Sequence, residues 1–262
     1  MSHNRYFFSW DDRRDVASPG DRKATVAFAV EHLINCGKEA IKSHRFFAVA
    51  VSGGSTPKVI FEKLSSTDNA GALDWSRVLL FWGDERAVPP TDPESNFRLA
   101  MDAGLKTLPI PQEHIFRMDT EGNIGANARS YEEKIKRALG PRPFDLIMLG
   151  MGSDGHTASL FPGTNALDEK TALVVANEVP QKKTRRMTLT YPCINRAKNI
   201  VLYVIGKSKA SIVKKVFLEQ PVPPYPVSLI GSPSNKALWV LDLEAAKPLL
   251  DCKKSSRSPD PP

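Results

Sequence analysis

Asp145-Leu146-Ile147-Met148-Leu149-Gly150-Met151-Gly152-Ser153-Asp154-Gly155-His156 sets the reading of this chain. Leu146 to Leu149 is an uninterrupted apolar run, which predicts a buried strand. It empties into a turn carrying three glycines, a carboxylate and an imidazole. The glycines permit backbone conformations and close ligand approach that a Cβ would forbid. Asp154 and His156 fall just past the strand, where open α/β sheets place their ligand crevice. The turn also has a plain explanation, because Asp-Gly is a common turn pair.

The same letters imitate a nucleotide site. Gly150-x-Gly152-x-x-Gly155 follows a strand and has Glu178 about 20 residues further on, as a dinucleotide fingerprint requires. Behind the last glycine, however, His156 to Phe161 meets Pro162-Gly163, leaving room for less than two helical turns. A pyrophosphate site needs a sustained helix whose first amides face the phosphates. A nicotinamide or flavin cofactor is therefore not expected.

Working outward, further strand-like runs are Phe46–Val51, Val78–Trp82, Leu173–Val175, Met187–Thr190, Ile200–Ile205 and Ala237–Leu241. Helix-period stretches lie between them, clearest at Lys23–Ser43, Ala126–Leu139 and Lys207–Leu218. This alternation predicts an α/β fold, a mostly parallel central sheet flanked by helices on both faces. One domain over residues 1–252 is expected, with Pro221–Pro226 as a stiff connector and 253–262 as a flexible polar tail.

Composition removes several classes. With 25% charged and 41% hydrophobic residues, the chain is neither fibrous nor disordered. No apolar run approaches the roughly 18 residues that span a bilayer. The N-terminus carries acids early and has no apolar signal core, so a cytoplasmic location and no membrane partner are expected. Cys36, Cys193 and Cys252 are too widely spaced for a zinc cluster and read as reduced thiols. No histidine pair stands at a metal-ligand spacing, so no metal is expected.

The net charge of +7 is a regional feature. No acid lies between Glu178 and Glu219, a segment that holds ten lysines and arginines; removing that +10 leaves the rest of the chain at −3. A local positive field suits a small anionic substrate. The segment lacks interleaved aromatics and any recognised nucleic-acid motif, so no nucleic-acid partner is expected.

Three more loops join the opening one at strand ends of the same polarity. Ser52-Gly53-Gly54-Ser55-Thr56-Pro57 reads as an anion-binding helix start, with Gly53 and Gly54 exposing amides and Ser55 and Thr56 adding hydroxyls or capping the next helix. It reads equally as an efficient strand-to-helix turn. Gly83-Asp84-Glu85-Arg86 places three charges at the end of an apolar run, costly unless they pair or meet a ligand. Arg86 offers fork geometry for a phosphate or carboxylate, and Asp84 can orient a base or water; an internal ion pair is the other reading. Gly206-Lys207-Ser208-Lys209 carries lysines that are either point charges for phosphate or solvated helix residues.

At these residues the chain resembles the 6-phosphogluconolactonase family. The resemblance rests on Val51-Ser-Gly-Gly-Ser-Thr-Pro57, on Phe81-Trp-Gly-Asp-Glu-Arg86 with Val88-Pro-Pro90 and Ser95-Asn96, and on Leu149-Gly-Met-Gly152 with Asp154-Gly-His-Thr-Ala-Ser-Leu-Phe-Pro-Gly163. A weaker block is Arg186-Met-Thr-Leu-Thr190 with Pro192 and Asn195, and the whole spans about residues 20 to 242. The related glucosamine-6-phosphate deaminases look similar, but Arg86 stands where they would carry an aromatic. Ser153 departs from the proline that lactonases often have there. The resemblance implies a NagB/ribose-5-phosphate-isomerase-like fold and cofactor-free hydrolysis of a 6-phosphorylated sugar δ-lactone in the oxidative pentose phosphate pathway. His156 would be the general base, Asp154 its partner, and Asp84 a further catalytic group. Gly53, Gly54, Ser55, Thr56, Arg86, Gly152, Arg186 and Lys209 would bind substrate, with Arg185 the alternative to Arg186. An isomerase or deaminase of this fold, using Asp84 as base, and a non-catalytic sugar-phosphate binder are the other readings.

Overall fold

The computed structural model describes residues 6–219 and 221–255. In chain order its elements are β1 (Tyr6–Ser9), β2 (Arg14–Ser18), α1 (Arg22–His44), β3 (Phe47–Val51), α2 (Ser55–Leu64), β4 (Val78–Trp82), β5 (Asp84–Arg86), α3 (Asn96–Asp102) and β6 (Ile115–Phe116). Then follow α4 (Ile124–Leu139), β7 (Leu146–Leu149), β8 (Val174–Val179), β9 (Thr184–Leu189), α5 (Tyr191–Ile194), β10 (Ile200–Val204), α6 (Ala210–Lys214), β11 (Ala237–Leu241) and α7 (Leu243–Ser255).

Eight strands form the main sheet in the order β1-β2-β11-β10-β7-β3-β4-β6. Every pairing in it is parallel except β1 with β2 at one edge. Because parallel strands are covered on both sides, the central ones carry no polar alternation: every residue of β3, β7 and β10 is buried. From β3 the chain steps one way, to β4 and β6; from β7 it steps the other way, to β10 and β11. Right-handed crossovers therefore put α1 and α2 on one face and α4 and α6 on the other. No helix among the described residues is long and apolar enough to cross a membrane.

Local signals set the longer helices. Asp21 caps α1 by accepting from the Ala24 amide at 2.8 Å, and Arg45, with φ of 80°, ends it. Asn123 caps α4 by accepting from Ala126 at 3.0 Å, and Gly140 at φ 60° closes it.

Four expectations need correction. The runs at Leu173–Val175 and Met187–Thr190 do not join the parallel sheet; they belong to β8 and β9, which with β5 make a separate antiparallel sheet in the order β5-β9-β8. Asp84–Arg86 is accordingly a strand, not a loop. Lys207–Leu218 is not one α-helix. It runs as a 3₁₀ turn (Lys207–Lys209), then α6, then a π turn (Lys215–Glu219). The wide π turn leaves the Val216 carbonyl for Arg14 Nη1 at 3.1 Å and seats Phe217 edge-on against both Trp10 and Trp239. Finally, the expected tail starts too early, since 253–255 complete α7; residues 256–262 lie outside the described ones.

Candidate active site

The main sheet reverses its winding between β3 and β7, so the loops leaving their carboxyl ends diverge to opposite faces and open a crevice. A cleft of about 260 Å³ fills it. Gly53, Gly54, Ser55, Thr56, Asp84, Arg86, Gly152, His156, Arg186 and Lys209 all line this cleft. Residues expected from separate stretches of sequence thus share one site, and Asp154 reaches it through His156.

The histidine turn is built around one contact. Asp154 Oδ1 lies 2.5 Å from His156 Nδ1 and also accepts from the His156 amide at 3.2 Å. Phe161 stacks on the imidazole with centroids 4.0 Å apart and planes 20° apart, fixing the ring's plane. Burial on its own would raise the Asp154 carboxyl, but its hydrogen bond to and charge attraction for His156, with backbone amides, bring it down to about 2. A carboxylate at Nδ1 selects the tautomer with its proton there, leaving the Nε2 lone pair as the basic site. Gly152 makes the pair possible: a Cβ on it would lie 2.1 Å from His156 Nδ1 and 2.5 Å from Asp154 Oδ1. Behind Gly155 no nucleotide-type helix forms; the chain closes a short bridge between Thr157 and Leu160.

On the β3 side, Gly54 at φ 106° turns the chain into α2. Its role corrects the expected capping by Ser55 or Thr56, because Gly54 is the cap residue and no side chain caps this helix. The first-turn amides at Ser55 and Thr56, which a helix leaves without internal partners, lie at the cleft wall. Gly53 is glycine because a Cβ would meet Asn96 Oδ1 at 1.7 Å.

The small antiparallel sheet supplies the cations. Its register sets Arg86 directly opposite Arg186, and like charges in that position repel. Arg86 Nη1 donates to the Glu94 carbonyl at 2.5 Å. The Nε atoms of both arginines, and Asn96 Oδ1, are buried without a hydrogen-bond partner among the described residues. Burial first, and then the neighbouring Arg86 charge, press the Arg186 guanidinium below its ordinary value. Arg185 is exposed, so of the two adjacent arginines it is Arg186 that enters the cleft. At the β7–β10 side Lys209 Nζ donates to the Met151 carbonyl at 2.6 Å, and burial lowers its pKa against the pull of Asp154. Half-buried cationic donors converging on one cleft are the chemistry that an anion site requires.

Asp84 and Glu85 have different duties. Asp84 is buried, with Oδ2 accepting from Ser159 Oγ at 2.7 Å and Oδ1 from Asn96 Nδ2 at 3.1 Å. Glu85 forms no ion pair among the described residues. It accepts from the amides of Arg86, Asn96 and Phe97, each at 2.8 Å, and from Ser95 Oγ at 2.9 Å, so it closes the start of α3. Sequence reasoning gave no role to Phe161, Ser159 or Asn177, whose Nδ2 donates to the Ser159 carbonyl at 2.9 Å. Only the opposition of Phe161 and Ser159 to charged groups across the fold reveals them. Among the described residues no three His, Cys, Asp or Glu side chains converge into a group able to hold a metal.

Comparison with known proteins agrees with this architecture. The family described as glucosamine-6-phosphate isomerases/6-phosphogluconolactonase matches residues 20–239. The 6-phosphogluconolactonase of Chlamydia pneumoniae is 42% identical over 222 residues, covering 84% of each chain. That of Chlamydia trachomatis serovar D is 43% identical over 239 residues, covering 91% of this chain and 92% of its own. The solved 6-phosphogluconolactonase from Trypanosoma cruzi superposes with a TM-score of 0.80 at 27% identity, over 93% of this chain and 99% of its own. With the family match running through β3, β7 and β10, whose ends form the crevice, this chain belongs to the glucosamine-6-phosphate isomerase/6-phosphogluconolactonase family.

Proposed function

We propose that this chain opens 6-phospho-D-glucono-1,5-lactone with water to give 6-phosphogluconate, with His156 as general base and the substrate held by its phosphate. The observation that carries this reading is the His156–Asp154 pair in the same cleft as the opposed Arg86 and Arg186. His156 Nε2 takes a proton from water as its oxygen attacks C1. The oxyanion that forms is stabilised by amides of the glycine loops. As it collapses the C1–O5 bond breaks, and the imidazolium returns the proton to O5. Asp154 holds the ring and stabilises its charged form in between. Arg86, Arg186, Lys209 and the α2 start with Ser55 and Thr56 anchor the phosphate, so that the carbonyl meets the base.

A deaminase or isomerase reading requires Asp84 to move protons. Its two oxygens are engaged by Ser159 and Asn96, which supports a positioning duty instead. The test is acid release from phosphorylated and unphosphorylated gluconolactone, corrected for spontaneous opening, by the wild type and His156→Ala. The phosphorylated lactone should be much the better substrate, and His156→Ala should lower its enzyme-dependent opening roughly 10² to 10⁴-fold, the usual range for a general base. Equal specificity constants for the two lactones would sink the anchoring, and wild-type turnover in a folded variant would remove His156 from the mechanism.

A further inference from the structure

A second cavity, of about 310 Å³, opens at the other end of the main sheet, beside Phe144 where the chain enters β7. Its floor is apolar: Ile135 and Leu139 from α4, Phe144, Leu173 and Cys193 of α5. Its rim is cationic, with Lys136, Arg142 and Arg196. These cations are not equivalent. Lys136 Nζ pairs with Glu132 at 2.7 Å and Glu133 at 3.2 Å. Glu132 is itself committed, since its other oxygen accepts from the Leu173 and Val174 amides at 2.8 and 3.3 Å. Arg142 and Arg196 are exposed, and neither forms an ion pair among the described residues. Two uncompensated guanidinium groups thus stand over an apolar floor, a combination that recognises a flat apolar body bearing one anionic group.

We propose that this cavity is a second ligand site, separate from the catalytic cleft, for a small amphipathic anion: an aromatic or aliphatic body on the Leu139–Phe144–Leu173 floor, with a sulfonate, phosphate or carboxylate held by Arg142 and Arg196. Thr171 lies at its edge, just ahead of β8, so an occupant would touch the start of the strand that pairs with the Arg186 strand. The proposal does not depend on the reaction assigned above.

The probe is 1-anilinonaphthalene-8-sulfonate, titrated by fluorescence into the full chain. One saturable site is expected, weakened at least tenfold in the Arg142→Ala/Arg196→Ala double variant, blocked by Thr171→Trp, and unaltered in Arg86→Ala. Both Arg142 and Thr171 are exposed, so these variants should fold, which far-ultraviolet circular dichroism checks. Binding that is absent, weakened as much by Arg86→Ala as by the double variant, or indifferent to the two arginines and to Thr171→Trp would overturn the proposal.

Discussion

Gly152→Ala adds a single methyl group, and the geometry predicts a large kinetic effect with little structural cost. The new carbon would stand 2.1 Å from His156 Nδ1 and 2.5 Å from Asp154 Oδ1. Ordinary contact begins at 3.4 Å, so the imidazole must retreat by more than 1 Å, and a misplacement of about 1 Å already costs about 10²-fold in rate. Gly152 does not occupy a left-handed conformation, so alanine brings no backbone strain of its own. The turn is at the surface, and the main sheet should be undisturbed. The expectation is a kcat for 6-phosphogluconolactone lowered about 10²-fold, with KM changed far less because the arginines and the α2 start are untouched. The double variant Gly152→Ala/His156→Ala should be no slower than His156→Ala, since both changes remove the same group's action. Initial-rate measurements of lactone opening, with near-ultraviolet circular dichroism for folding, decide it. A folded Gly152→Ala enzyme with wild-type kcat would show that the described His156–Asp154 contact is not the one used in turnover.

Arg186→Met should raise KM for the phosphorylated lactone at least tenfold, whereas Arg185→Met, on the exposed side of β9, should change it less than twofold; equal effects would contradict the assigned facing. Glu85→Ala strands the Asn96 and Phe97 amides and the Ser95 hydroxyl at the start of α3, together with the Arg86 amide in β5, and should cost roughly 3 kcal/mol in urea unfolding; an unmoved midpoint would refute the capping duty. The Asp154 carboxyl is held at about 2 in the folded protein, below its unfolded value, so its contribution is full above that unfolded value and disappears as pH falls through about 2. Asp154→Asn should therefore lose less stability than the wild type between about pH 4 and pH 2, and parallel acid-unfolding curves would rule this out.

The main sheet was legible because buried parallel strands announce themselves as short apolar runs: Val78–Trp82, Leu146–Leu149 and Ala237–Leu241 need no adjustment at either end. The edge pair β1 and β2 was not, since Tyr6–Ser9 is half exposed and β2 mixes Arg14 and Asp15 with apolar residues. Nor was the small sheet, whose strand Asp84–Arg86 consists of charged residues and owes its extension to pairing with distant β9. In the site, each loop betrayed itself by glycine and charge at a strand end. What no local pattern contains is the pairing of positions far apart: Arg86 with Arg186, Asp84 with Ser159, and the Arg186 guanidinium over the ring of Phe161. The ten-cation run illustrates the same limit, for folding sends Arg186 and Lys209 to one cleft, Arg196 to a cavity elsewhere, and Lys214 to Glu219.

If a dianion bridges Arg86 and Arg186 as proposed, their face-to-face placement by the register of β5 and β9 ties the lifetime of the protein to its supply of ligand. Their mutual repulsion weighs on the unliganded fold and would be relieved by that dianion. Anything that binds only the folded state adds RT ln(1 + [L]/Kd) to its stability, and here relief of repulsion is part of that gain. A chain that loses either arginine should therefore melt at a higher temperature alone and gain less from added phosphate ester. In a cell, a starved enzyme would be the more readily degraded one, so its abundance would follow metabolite flux without any change in gene expression.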